Sequence, residues 1–271
     1  MIRKMYPGGK AKAFNFSYDD GVLQDVRFVA LLNRYGLKGT FNLNAGLMKQ
    51  EFAWTHPSGM QVKRLSETAV KDLYDGHEIA CHTYSHPYMD DYSEADVLKE
   101  IGADRFFLEQ LFCREVKGYA TPFYYFSDLI GDCVRQCGLE YARISETDPS
   151  YTPGRSSYGW KAGMFHDSPD LESYVQKFLV TDEELALGQI VGHTYDLDVL
   201  DMWDRMELIC KAIAKAGDVW FATHLELVRY LRAMEKAIVT EASIYNGSDR
   251  VLWFAADGKT VTLNPSESVH L

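Results

Sequence analysis

An α/β fold, a parallel barrel of repeated strand–helix units with a small β extension at its C-terminal end, is what this 271-residue sequence predicts. Three observations lead there. Short apolar runs of strand length alternate with stretches of helical periodicity. Acidic residues and histidines follow directly on the ends of those runs, the place where barrel strands carry their chemistry. After about residue 238 the alternation stops, and three β-rich segments follow, separated by Asn246-Gly247 and Asp257-Gly258, both hairpin-turn signals.

Taken in order, residues 13–17 read as a first strand leading into a helix over residues 26–35, where Phe28, Leu31, Leu32 and Tyr35 share one face and Gly36 ends it. Residues 39–43 read as a second strand. Ser66 is a candidate N-cap, with Glu67 and Asp72 near the start of its helix, and residues 78–82 form the next strand. Ser93-Glu94-Ala95-Asp96 resembles a capping box with acidic residues in the first turn, opening a helix that runs to about residue 112. Short strands near residues 118–120, 141–144, 189–193 and 219–222 continue the alternation, with helices near 128–137, 173–179 and 203–216. The expected division is a barrel over residues 1–238 and an extension over residues 239–271. About thirty residues cannot bury enough apolar surface to stand alone, so the extension is expected to dock on the barrel.

Composition narrows the function classes. A hydrophobic content of 46% over 271 residues supplies a core of barrel size. The formal net charge of -11, with no offsetting Lys/Arg cluster, argues against a nucleic-acid surface and against attraction to anionic membranes. The first ten residues lack the apolar centre of a signal peptide, and no run approaches bilayer length, so a cytoplasmic location is expected. The five cysteines (81, 113, 133, 137 and 210) contain no CxxC pair, and free thiols are expected.

Asp19 and Asp20 follow the first strand, and His82 ends the strand at 78–82 with His86 four positions further on. One carboxylate and two imidazoles with open coordination positions make a hydrolytic metal centre rather than a closed structural one. The neighbouring carboxylate can turn at the strand end into the same cleft and take a proton. Each feature has a plainer reading: Asp-Asp-Gly is most often a turn, and a lone histidine is most often structural. The combination, each member directly after an apolar strand, favours the site. A helical His-x-x-x-His is disfavoured by Ser85 and Pro87. His193, after Ile190-Val191 and before Asp196, suits a general acid, against the plainer reading of a surface histidine in a turn. His56 and His77 read as structural or exposed, and His224 as a rival to His193 that is set aside.

These residues carry a family resemblance. Ser17-Tyr18-Asp19-Asp20-Gly21 is similar to the first motif of the polysaccharide deacetylases, the NodB-like carbohydrate esterases of family 4, and His82-Thr83-Tyr84-Ser85-His86-Pro87 resembles the second. Gly118-Tyr119-Ala120-Thr121-Pro122-Phe123 sits where the third motif falls, and Val191-Gly192-His193-Thr194-Tyr195-Asp196 where the last catalytic histidine does. The resemblance, over about residues 10–235, implies a distorted (β/α)7 barrel and a metal-dependent hydrolase that removes an N- or O-linked acetyl group from a carbohydrate. Asp20, His82 and His86 would hold a divalent ion, zinc first, with cobalt, nickel or manganese as alternatives. Asp19 would be the base, His193 the acid, and the Phe123 N–H an oxyanion donor. Members with a similar C-terminal tail further imply that His166 and Trp160 meet substrate, and Tyr84 suits the apolar face of a sugar ring.

One position departs from the pattern. The third motif usually holds an arginine that pairs with the base, where this chain has Ala120. Arg143, in Tyr141-Ala142-Arg143, is the expected replacement. The alternatives are a hydrolase of a small amide on the same fold, a non-catalytic carbohydrate-binding protein, and a structural or partner-binding protein.

Overall fold

The strand Lys12–Asp19 is buried along its whole length, and its two faces differ in chemistry. Phe14, Phe16 and Tyr18 point outward, where Phe28 meets Phe16 and Tyr18 at ring-centroid distances of 6.0 and 4.1 Å. Asn15, Ser17 and Asp19 alternate with them and bond inward: Asn15 Nδ2 reaches the Ala222 carbonyl at 3.0 Å, and Asn42 Nδ2 reaches Ser17 at 3.0 Å and Asp19 at 2.7 Å. The two-residue period of a strand thus gives an aromatic side to the surrounding helices and a polar side to the interior. The computed structural model describes residues 2–48, 53–154 and 156–271.

Lys12–Asp19 pairs in parallel with Ala186–His193, Gly39–Leu43 and Val219–Phe221. Gly39–Leu43 pairs with Glu78–Cys81, and Ala186–His193 with Met164–Phe165, completing a six-stranded sheet. Single bridges from Cys81 to Tyr119 and from Ala120 to Arg143 carry the arrangement on to a parallel pair, Ala142–Thr147 and Tyr158–Ala162. The strands curl into a distorted barrel, and no ladder closes it between Tyr158–Ala162 and Ala186–His193 among the described residues. Every parallel strand points its C-terminal end toward one rim, where Asp19, His82, Arg143 and His193 stand.

Helices Asp25–Arg34, Glu94–Phe112, Asp128–Gln136, Leu171–Val180, Trp203–Ala214 and His224–Glu235 flank the strands. The first ends where Gly36 takes φ 66° and Leu37 N bonds Leu32 O at 2.9 Å, the left-handed stop that glycine permits. Ser93 caps Glu94–Phe112 through the Asp96 N–H at 3.3 Å. The last helix has a full capping box between Thr223 and Glu226. Three expectations differ. Residues 118–120 form bridges rather than a strand, the helix after Ser66 is a single turn (Glu67–Val70), and periodicity missed the antiparallel hairpin Ala53–Thr55 with Gln61–Lys63.

In the extension, Leu252–Ala256 and Lys259–Leu263 form a hairpin through Asp257 (φ 49°) and Gly258 (φ 78°), the two positive angles a tight primed turn requires. Ile2–Met5 adds antiparallel to Leu252–Ala256, and Ser243–Asn246 pairs with Ala237–Val239 and Ser268–His270. Asn246-Gly247 is not a hairpin turn, since the strands on either side of it belong to different sheets. Asn246 instead stabilises a loop, donating to the carbonyls of Arg250 and Leu263 and accepting from Ser248. Tyr6, Leu227, Tyr230, Met234, Ile244, Leu252 and Phe254 form a second apolar cluster that seals the extension to the last helix. The five cysteines are unpaired, and no helix among the described residues is long and apolar enough to cross a membrane.

Candidate active site and metal centre

Neighbouring side chains on a strand face opposite ways, so two adjacent aspartates share a cleft only if the backbone breaks between them. It does so at Asp20, with φ 86°, followed by Gly21 at φ 63°. Thr83 (φ 65°), His86 (φ 55°) and Phe123 (φ 55°) are also left-handed, so loops at this rim hold conformations that non-glycine residues adopt at a cost.

Asp20, His82 and His86 form one group, with ligand atoms all within 4.8 Å of one another. Asp20 Oδ1 lies 3.4 Å from His86 Nε2 and 3.8 Å from His82 Nε2. His82 Nδ1–H donates to the Ala120 carbonyl at 2.9 Å, which keeps the proton on Nδ1 and leaves the Nε2 lone pair toward Asp20. Burial holds the His82 ring below its ordinary pKa in spite of Asp19 and Asp20, and burial followed by His82 brings His86 to about 4. Both imidazoles are therefore neutral near pH 7, the form that binds a cation. Asp20 is ionised: burial alone would raise its pKa, but Arg64, His193, His86 and His82 together depress it. The backbone under His82 is anchored by Asp104, whose carboxyl oxygens accept from His82 N at 2.9 Å and Ala45 N at 2.8 Å.

Asp19 stands beside this group. Nη2 of Arg143 donates to both of its oxygens, at 2.5 and 2.6 Å, and Asn42 Nδ2 donates to Oδ1 at 2.7 Å. Arg143 is 1% exposed. Burial would raise the Asp19 pKa, but Arg143, His82 and His193 outweigh it and hold the carboxyl below its ordinary value. His193 is the register partner of Asp19 on the adjacent strand. Its Nδ1 lies 3.2 Å from Asp196 Oδ2, and Asp196 together with Asp20 and Asp19 overcomes burial to raise its pKa to about 9. The cleft thus sets an ionised carboxylate and a protonated imidazole side by side, next to a neutral pair of imidazoles.

A family model described as polysaccharide deacetylase matches residues 7–142, half of the chain. The chain belongs to the polysaccharide deacetylase family. Among solved structures it is similar to a candidate polysaccharide deacetylase from Mycobacterium smegmatis, with 16% identity over 86% of this chain and 94% of that one and a TM-score of 0.64. It is also similar to a family 4 acetyl xylan esterase from Clostridium thermocellum in complex with a cobalt ion (17% identity, 80% and 90% covered, TM-score 0.53). A family 4 pseudoenzyme from Bacillus anthracis is a further neighbour (15% identity, 83% and 68% covered, TM-score 0.51). These likenesses define the NodB-like fold. No curated protein matches the chain by sequence.

For a polysaccharide deacetylase, three sequence-expected contacts fall outside the cleft. Tyr84 packs against the main apolar cluster, with Phe107 at 5.4 Å, because the turn after Thr83 directs its ring onto Gly46. Trp160 is 5% exposed and lies edge-on to His224 at 4.9 Å in the interior. His166 is 1% exposed and stands behind the acid, its Nε2 3.6 Å from Asp196 Oδ2 and its Nδ1 3.0 Å from the Tyr18 hydroxyl. It therefore helps hold Asp196, which is depressed to about 2 as hydrogen bonds from His166 and His193 outweigh burial. Phe123 stands against His86 at 4.6 Å and stacks with Tyr88 at 3.9 Å. Sequence reasoning missed Arg64, Asn44 and Asp104, which touch the ligand loops from segments without motif spacing.

Proposed function

We propose that the protein is a metal-dependent hydrolase that removes an N- or O-linked acetyl group from a carbohydrate. The observation that carries this reading is the side-by-side placement of ionised Asp19, protonated His193 and the Asp20–His82–His86 group. The donor set fits a divalent cation: one carboxylate and two neutral imidazoles with their Nε2 atoms directed at one oxygen. Zinc is the first choice, with cobalt, nickel or manganese as alternatives. When bound, the cation supplies Lewis acidity for polarising a carbonyl.

The chain's own residues supply the proton chemistry. Asp19, kept ionised and aimed by Arg143 and Asn42, takes the proton of an attacking water. His193 carries a proton near neutrality and delivers it to the departing amine or alcohol. Asp196 and His166 hold its ring. The exposed aromatic rings of Tyr88 and Tyr124 beside Phe123 offer apolar faces to a sugar ring.

The test is acetate release from acetylated xylan and from N-acetylglucosamine oligomers by the chelator-treated chain before and after addition of Zn2+ or Co2+. Release that depends on added metal is expected on one of the two substrate types. Binding of these glycans without acetate release would favour a non-catalytic carbohydrate-binding protein, the reading raised by Ala120 and by the pseudoenzyme neighbour.

A further inference from the structure

Arg64 is 5% exposed, and its backbone is laced to the loop that follows Asp20. Val22 and Arg64 form an antiparallel bridge, Leu65 N donates to Gly21 O at 2.8 Å, and Leu23 N donates to Lys63 O at 3.0 Å. The guanidinium then meets both ligand loops. Nη2 donates to Asp20 Oδ1 at 3.0 Å, while Nη1 donates to the Asp20 carbonyl and, at 2.6 Å, to Asn44 Oδ1. Asn44 in turn donates to the carbonyls of His82 and Thr83. On its far side the guanidinium carbon is 5.2 Å from the ring of Trp54, in the hairpin that precedes it.

The oxygen involved decides the inference. Asp20 Oδ1 is the carboxylate oxygen facing both imidazoles, 3.4 Å from His86 Nε2 and 3.8 Å from His82 Nε2, and it is also a carboxylate oxygen the guanidinium holds. A cation bound by the triad and the Arg64 guanidinium would address one carboxylate oxygen. Asp19 is likewise occupied by Arg143, so the cleft is not the doubly anionic pocket that two adjacent aspartates would make.

We propose that Arg64 is a positioning residue that neutralises Asp20 within the triad, aiming the carboxylate at the imidazoles while its charge weakens the protein's hold on a divalent cation. Two cations sharing one carboxylate repel, and a carboxylate already paired compensates less of the charge of an ion that joins it. The consequence is a site that binds its cation more weakly and leaves it more Lewis acidic than Asp20, His82 and His86 alone would. This rests on the metal reading above.

The sign of the effect separates this role from a purely structural brace. Zn2+ and Co2+ dissociation constants of the full chain are measured by competition with a chromophoric chelator for wild type, Arg64→Gln, Arg64→Met and Arg64→Lys, with far-UV circular dichroism and melting curves as the check on folding. Arg64→Gln keeps amide donors and removes the charge, and it is expected to bind roughly tenfold more tightly than wild type. Arg64→Met, which fills the volume without charge, is expected to shift in the same direction, and Arg64→Lys to stay near wild type. Equal or weaker binding in the charge-removing variants that keep the wild-type circular dichroism spectrum overturns the proposal, because a brace alone loses affinity when it is removed. Tighter binding by Arg64→Lys as well would also overturn it. A wild type that takes up neither ion overturns the metal reading itself, whereas a wild type that binds while no neutral variant binds more tightly sinks only the role of Arg64.

Discussion

Ala120 and Arg143 are bridge partners on neighbouring parallel segments: Arg143 N donates to Tyr119 O at 2.8 Å and Thr121 N donates to Arg143 O at 2.9 Å. The cation absent from position 120 therefore reaches Asp19 from one strand away. Arg143 lowers the Asp19 pKa, so its removal raises it. In Arg143→Ala the acidic limb of the pH–rate profile should move to higher pH with metal content unchanged. Breaking a buried pair should also cost about 3–5 kcal/mol of stability, read from denaturant unfolding. Adding Ala120→Arg to that variant should move the limb back, and a limb that stays put in all three proteins would separate Arg143 from the base.

Asp19→Asn keeps the shape and the hydrogen bond to Asn42 or Arg143 but loses basicity. Hydrolysis should fall by on the order of a hundredfold or more. Metal content by elemental analysis should be that of wild type. Loss of metal with a rate restored by excess metal would reverse the roles of Asp19 and Asp20.

His86 is half-buried at the rim, so His86→Ala removes a ligand atom while disturbing little of the core. Metal uptake and acetate release should disappear together, and the unfolding midpoint of the metal-free chain should change by no more than about 1 kcal/mol in stability. Full metal occupancy in this variant would remove His86 from the ligand set.

Against burial, the hydrogen bond to Asp196 and the charges of Asp20, Asp19 and Asp196 raise the His193 pKa to about 9. A general acid fails when it loses its proton, which sets the basic limb of the pH–rate profile. Asp196→Asn lowers the pKa of His193, so the basic limb should move to lower pH, by roughly a unit or more. The acidic limb should stay near its wild-type position. A basic limb indifferent to Asp196→Asn would leave His193 without the acid role.

Asp25 is buried between the hydroxyls of Tyr74 (2.6 Å) and Thr194 (2.5 Å), and burial raises its pKa to about 7. A raised folded-state pKa means that its share of stability is whole below the unfolded carboxyl value and is lost as pH rises through about 7. Thermal midpoints should therefore carry a decline between about pH 4 and about pH 7 that levels off above it, and Asp25→Asn should flatten that decline. Parallel slopes for the two proteins would place the titration elsewhere.

Much of this protein is local information. Alternating apolar strands and helical faces, with glycine at Gly36 and the Asp257-Gly258 pair at positive φ, specify the α/β fold without reference to distant contacts, because these preferences are properties of short segments. The family was legible for the same reason: its motifs are short runs at strand ends. What local pattern could not decide was which side chains meet across sequence gaps. Arg143, which the resemblance already offered as the replacement for the motif arginine, reaches Asp19 over 124 positions, whereas Arg64, which no motif marks, reaches Asp20 over 44. Tyr84 suits a cleft by type, and Trp160 and His166 by the resemblance, yet Tyr84 packs onto the main apolar cluster and Trp160 and His166 are buried. Ile2–Met5 finds Leu252–Ala256 from the other end of the chain, a pairing that only the closed fold brings within reach. Residue type and order thus determined the strands and the residues at their ends, whereas the charge around Asp19 and Asp20 was decided by tertiary structure, because electrostatic pairing depends on distance in space and not along the chain.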